Sequence, residues 1–324
     1  MQHSSSLSRR AFISTAALLS TGVMAQTYPS KSIEWIVPYP AGGGTDVVAR
    51  TLAEAMGKTL GQTMVVMNKP GAATNIGAAY VANAKPDGYT ILSADTATLA
   101  ANPYLYRKLS YSAEKDFTSI GLTVRFPLIL VVNPKIPARN LKEFLAWAKT
   151  LNGPNYASPG AGSPHHLATE LFSRDAGIKF THVPYRGAAP AVQDVMAGQV
   201  PFMFVDTAAG SQFISAGKLR AIGIASPKRV KNFEEIPTLQ EQGMKGFEAF
   251  AWQGIVAPAG TPADVVSKLN HALLAAMDTT AVKARLQALG LESTPSSPAQ
   301  MDKYAAAERA KWSEVIKAAG IQLD

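Results

Sequence analysis

The sequence predicts an α/β protein of two domains, each with a sheet of parallel strands. Apolar strand-like runs alternate with amphipathic helical runs from Ile33 to Ala319, the pattern of βαβ units. The chain has 324 residues, which at roughly 100–200 residues per domain makes two domains. No clear linker separates them, which fits a chain that crosses from one domain to the other more than once.

Ile33–Val37 reads as a strand stopped by Pro38, and Asp46–Met56 as a helix with Asp46 as its cap. Thr63–Met67 is a strand, Thr74–Asn83 an Ala-rich helix and Thr90–Ser93 a strand. Phe126–Asn133 is a long aliphatic strand between two prolines and a candidate first crossing between domains; Phe247–Trp252 is a candidate return. Between them, helices are expected at Leu141–Thr150, His165–Asp175 and Ala188–Ala197. Strands are expected at Asn155–Ala157, Lys179–Val183, Val200–Val205 and Lys218–Ala225. Ala263–Met277 and Pro298–Ala319 are long helices.

The N-terminus reads as an address. Arg9 and Arg10 precede a small and apolar run from Ala11 to Ala25, too short to span a membrane. Val23-Met24-Ala25 fits a small-residue cleavage site before Gln26, and Ser8-Arg9-Arg10-Ala11-Phe12 resembles a twin-arginine signal, with the general secretory route as the alternative. The mature chain is expected to be soluble and periplasmic. The chain has no cysteine, which excludes disulfides, thiol nucleophiles, Cys-ligated metals and a lipid anchor at the cleavage site. The formal charge of +8 falls by two on cleavage and is spread along the helices; no basic block carries interleaved aromatics, so nucleic acid is disfavoured.

Six segments follow strands and lead into helices, where ligands of open α/β sheets bind. They are Pro38–Asp46, Asn68–Gly77, Ser93–Thr98, Ser158–Leu167, Val183–Ala191 and Phe204–Ala208. Gly42-Gly43-Gly44 lets backbone N–H groups approach an anion at a helix N-terminus. It lacks the Gly-Lys-Ser/Thr of a P-loop and the third glycine of a dinucleotide fingerprint. Arg186 lies between a strand and a helix, where its fork can take a carboxylate or stay in solvent. Ser163 with His165 or His166 is the hydrolase alternative, but no Gly-x-Ser-x-Gly surrounds it. No His-x-x-x-His is present, so no metal or other cofactor is expected. The recurring equipment holds an anion rather than transforming it.

The ordered set YPAGGGTDVVAR, NKPGAATNIGA, KPDGYT, SPGAGSPHHLA and VPYRGAAPAVQDVMAGQV resembles the tripartite tricarboxylate transporter receptors, the Bug-type extracytoplasmic solute receptors. The resemblance spans Tyr28 to Leu323. It implies a two-lobed periplasmic binding protein, or Venus flytrap, with the ligand cleft between two α/β domains. Domain 1 would comprise residues 26–125 plus 251–324, and domain 2 residues 126–250. It implies binding of a small carboxylate and delivery to membrane subunits of a tripartite tricarboxylate transporter, by a monomer that is not an enzyme. First-domain contacts carried over are Gly43, Gly44, Thr45, Asp46, Thr74, Asn75, Asp95 and Thr96; second-domain contacts are Ser158, Gly162, Ser163, His166, Arg186, Gly187 and Asp206. Tyr185-Arg186-Gly187 replaces the family's usual Tyr-Lys-Gly.

Overall fold

The computed structural model describes residues 28–324; the export signal expected from the sequence, with its arginine pair and its expected cleavage at Ala25/Gln26, lies outside them. The chain opens with β1 (Ile33–Val37), α1 (Gly44–Leu60), β2 (Met64–Asn68), α2 (Asn75–Ala82) and β3 (Thr90–Asp95), whose strands lie parallel in the order β2-β1-β3. After a short turn at Ala97–Ala101 come α3 (Asn102–Leu105) and β4 (Phe117–Val132). The middle of the chain forms α4 (Leu141–Lys149), β5 (Asn155–Ser158), α5 (Pro164–Ala176), β6 (Thr181–Pro184), α6 (Ala188–Ala197), β7 (Phe202–Asp206), α7 (Thr207–Ser215) and β8 (Arg220–Ile224). The chain then returns through β9 (Phe250–Pro258), α8 (Ala263–Asp278), α9 (Thr280–Ala288), β10 (Glu292–Ser293) and α10 (Pro298–Ala319).

Two lobes share β4. Its residues Phe117–Pro127 pair with β9, and Leu128–Val132 pair with β7 and β8. The parallel reading holds for β2-β1-β3 and for β7-β5-β6 but not for the joining strands. β3–β9, β4–β9, β4–β7 and β4–β8 are antiparallel, so each sheet is mixed. The physical reason is connectivity: the chain leaves along β4 and returns along β9, and such strands run in opposite directions. The long strand begins nine residues before the Phe126 read from sequence and passes through Pro127. Pro127 faces Phe250, the first residue of β9, where the ladder changes sheets and a missing N–H costs least.

One apolar cluster runs through both lobes, from Ile36, Leu105 and Trp252 to Leu128, Phe144, Phe172 and Phe202. α10, from the end of the chain, contributes Trp312 to it; the indole N–H groups of Trp252 and Trp312 both donate to Glu308 Oε2, at 3.0 and 2.9 Å. α8 and α9 return to α1, so the first lobe is built from both ends of the chain.

Candidate ligand-binding site

The strand ends of the first lobe carry three of the segments singled out in the sequence. At β1, the chain turns through Gly42 (φ +84°) into α1. Gly43 is the N-cap, so the cap is not Asp46 as the sequence reading had it. Asp46 lies in the first turn and its carboxylate reaches back: Oδ2 accepts from Gly42 N and Arg50 Nε, each at 2.9 Å, and Oδ1 accepts from Asn68 Nδ2 at 2.9 Å. Burial would raise its pKa, but Arg50, the Gly42 N–H and Asn68 together hold it below the ordinary carboxylate value. Asp46 therefore staples the glycine loop to β2. Gly44 leaves room for Phe126, whose Cε1 would stand 2.9 Å from a Cβ there. Thr45 is half-buried in the first turn of α1.

At β2, three successive non-glycine residues have left-handed backbones: Ala72 (φ +45°), Ala73 (+48°) and Thr74 (+82°). Such conformations cost of order 1–3 kcal/mol each and persist only where the surroundings impose them. Thr74 is buried and its Oγ1 lies 2.9 Å from the Thr98 hydroxyl; Asn75 starts α2 and is half-buried. At β3, Asp95 is buried. Its Oδ1 accepts from the Thr98 N–H and hydroxyl, both at 2.9 Å, and its Oδ2 accepts from the Tyr39 hydroxyl. Burial pushes the Asp95 carboxyl up, against the lowering effect of these donors, and pushes the Tyr39 hydroxyl well up. Thr96 is fully buried and its hydroxyl accepts the Trp252 N–H at 3.0 Å, so it fastens β3 to β9.

In the second lobe, the side chains of the fourth segment are largely used internally. Ser158 Oγ donates to Gly160 O at 2.9 Å and lies 2.6 Å from His182 Nε2. His166 Nδ1 accepts the Gly162 N–H at 3.0 Å, and its ring stacks on His182 with centroids 3.8 Å apart. Burial, reinforced by His182, lowers the His166 pKa to about 3; burial lowers that of His182 to about 4. Ser163 caps α5 by accepting the His166 N–H at 3.3 Å. Gly162 (φ +75°) faces Leu105 and Leu323 of the first lobe, whose methyls would stand 2.6 and 3.0 Å from a Cβ. Asp206 caps α7 through the Ala209 N–H at 2.9 Å and pairs with His165 Nε2 at 3.1 Å. Burial opposes ionisation of Asp206, but His165 and the cap hold its pKa below the ordinary value. Gly187 (φ +110°) is the N-cap of α6 and its N–H donates to Pro159 O at 2.9 Å. Arg186 is exposed, and its guanidinium makes no hydrogen bond or ion pair among the described residues.

The structure thus gathers the first-lobe residues around one group of loops. It shows Asp46, Thr96, Ser158, His166 and Asp206 bonded within the protein. Tyr39, Asn68 and Thr98 lie inside segments singled out in the sequence but not among the candidate contacts, and Asn102 and Tyr111 lie outside every such segment. Thr98 carries a further local signal, standing three residues after an Asp at a strand end, the spacing of a cap. Two surface grooves, one lined by Arg50 to Val66 and one beneath α10, share no residue with the six segments. The hydrolase reading finds no support: the Ser163 Oγ bonds to the His166 backbone N–H and makes no hydrogen bond to the ring of His165 or His166, so no nucleophile–base pair forms there.

The family model described as tripartite tricarboxylate transporter family receptor matches residues 48–321. The chain belongs to that family. BugT of Bordetella pertussis is 36% identical over 314 residues, covering 96% of each chain. A solved R. palustris protein with adipate is 32% identical, with a TM-score of 0.85 over 91% of this chain and 100% of that one. MatC from Rhodopseudomonas palustris with bound malate is 33% identical, with a TM-score of 0.80 over 89% and 100%. As a tripartite tricarboxylate transporter receptor with the two-lobed fold of periplasmic binding proteins, the protein is a solute-binding protein and not an enzyme. Among the described residues no helix is long and apolar enough to cross a membrane.

Proposed function

We propose that this receptor captures a small dicarboxylate between its lobes in the periplasm and hands it to the membrane subunits of a tripartite tricarboxylate transporter. One observation carries the ligand class. The carboxylates of Asp46, in the first turn of α1, and of Asp95 and Asp206, at the ends of β3 and β7, are each satisfied by protein donors. The groups left to face a ligand are donors: the first-turn N–H groups of α1, which have no intrahelical acceptor, the side-chain nitrogen of Asn75, and Arg186. Relatives holding adipate and malate point to the same class.

In this reading Gly43, Gly44, Thr45, Thr74 and Asn75 hold one carboxylate, mostly by backbone N–H groups, and Arg186 takes the other in two hydrogen bonds. Asp46, Asp95, Ser158, His166 and Asp206 shape the loops. The lobes divide at residues 126 and 250, the protein acts as a monomer, and export is by the signal ending at Ala25. Closure follows from a population shift, since a diacid that touches both lobes binds the closed form better. Calorimetry of the mature protein with malate, adipate and their longer and aromatic analogues tests this. Micromolar or tighter binding of one diacid, recovered intact, is expected; binding of none, or turnover, would overturn it.

A further inference from the structure

The left-handed turn at Ala72–Thr74 is held from behind by one buried side chain. Asn102, the first residue of α3, is fully buried, and its Nδ2 lies 2.7 Å from the Ala73 carbonyl oxygen and 2.7 Å from Asn75 Oδ1. An amide nitrogen carries two hydrogens, so these two contacts use both. The orientation is fixed by its partners: the reversed amide would press its oxygen against the Ala73 carbonyl, two acceptors with no proton between them. It leaves Asn102 Oδ1 buried without a hydrogen-bond partner, a penalty that the arrangement bears to keep both hydrogens on the turn. The Tyr111 hydroxyl closes the same corner, 3.2 Å from Asn75 Oδ1 and 3.0 Å from the Thr98 carbonyl oxygen.

The consequence falls on Asn75. Its oxygen accepts from Asn102 Nδ2, with the single-proton Tyr111 hydroxyl beside it and closer to the Thr98 carbonyl oxygen, so the Asn75 Nδ2 is directed the other way, and that nitrogen makes no hydrogen bond among the described residues. We infer that Asn102 is a specificity-determining positioning residue: by holding Asn75 Oδ1 it turns Asn75 into a pure donor toward the ligand, matched to an ionised carboxylate. This rests on the reading of Asn75 as a ligand contact. An amide free to flip would present its oxygen half the time, and that oxygen repels the carboxylate that the donors attract.

The test uses the mature chain, with adipate as probe, in a double-mutant cycle read by calorimetry. Asn102→Ala is expected to weaken adipate binding roughly tenfold in the parent background, the worth of one hydrogen bond to a charged group. It is expected to change affinity little in an Asn75→Ala background. An equal loss in both backgrounds would show that Asn102 merely supports the fold and would overturn the inference. Side-chain amide NMR of the parent gives a reading that needs neither ligand nor variant. The Asn102 N–H2 protons are expected to be protected from exchange and those of Asn75 to exchange freely; the reverse pattern overturns the inference. Failure of the parent to bind adipate would count against the ligand class alone, and the NMR pattern would still decide the orientation.

Discussion

Replacing Asp46 with alanine removes the staple of the glycine loop. Three donors lose their acceptor, and they differ in what replaces it. Arg50 is half-exposed and Gly42 is exposed, so water takes over there at little cost. Asn68 Nδ2 keeps its bond to the Tyr39 carbonyl oxygen at 3.0 Å, but its second hydrogen has no other acceptor. A hydrogen bond to a charged group contributes about 1.5–3 kcal/mol, and an acidic residue in the first helical turn about 0.5 kcal/mol. The expected loss is about 2–3 kcal/mol. At roughly 2–4 °C per kcal/mol this lowers Tm by about 5–10 °C at pH 7. The folded carboxyl titrates below its unfolded value, so its stabilisation is present above about pH 4 and is lost as pH falls through the folded pKa. Circular dichroism melts of parent and variant from pH 7 to pH 3 measure this. A difference under about 2 °C at pH 7, or one that widens in acid, would refute the assignment.

Arg186→Ala is expected to weaken dicarboxylate binding at least tenfold, about 1.4 kcal/mol, while leaving the melt of the ligand-free protein unchanged; unchanged affinity by calorimetry removes Arg186 from the site. Ser163→Ala is expected to cost about 1 kcal/mol as a lost helix cap and to leave binding within a few-fold, with the bound acid recovered intact by mass spectrometry. His166 is neutral when folded, with a pKa of about 3 against about 6.5 unfolded, so it favours the folded state above about pH 6.5 and this is lost as pH falls toward 3. Denaturant melts are expected to lose roughly 2 kcal/mol from this residue between pH 7 and pH 5, and its ring protons are expected to show no titration in NMR over that range. Gly162→Ala places a Cβ against Leu105 on a left-handed backbone and is expected to cost about 2–4 kcal/mol in thermal melts.

Most of the architecture was legible because periodicity marks strands and helices one at a time. β1, α6 and α10 stand within the residues read from sequence, as each carries its own stop signal. What escaped was long-range. Phe247–Trp252 reads from sequence as a return between domains and carries no strand signal, yet a nine-residue strand, β9, begins within it, because its identity comes from pairing with β4 and β3. The site divided in the same way. Glycine-rich segments mark where the proposed site receives an anion, but many of the side chains within them bond inside the protein. Asp46 and Asp206 look like ligand groups in sequence, and the partners that satisfy them, Asn68 and His165, lie 22 and 41 residues away. Asn102 stood in no motif at all, since its role is defined only by the backbone it meets.

The sharing of β4 between both sheets also bears on how the chain reaches its native state. β4 cannot pair with β9 until the residues between Val132 and Phe250 have been made and brought to order. Closing so long a flexible loop is entropically unfavourable. Once the second lobe has folded on the inner half of β4, Pro127 and Phe250 are held side by side, and the ladder can extend outward from that contact. The second lobe is then expected to act as a scaffold for the first, with assembly running from the middle of the sequence toward its ends. Core substitutions in the second lobe should therefore slow the formation of both sheets, whereas those in α8 or α10 should slow only the last.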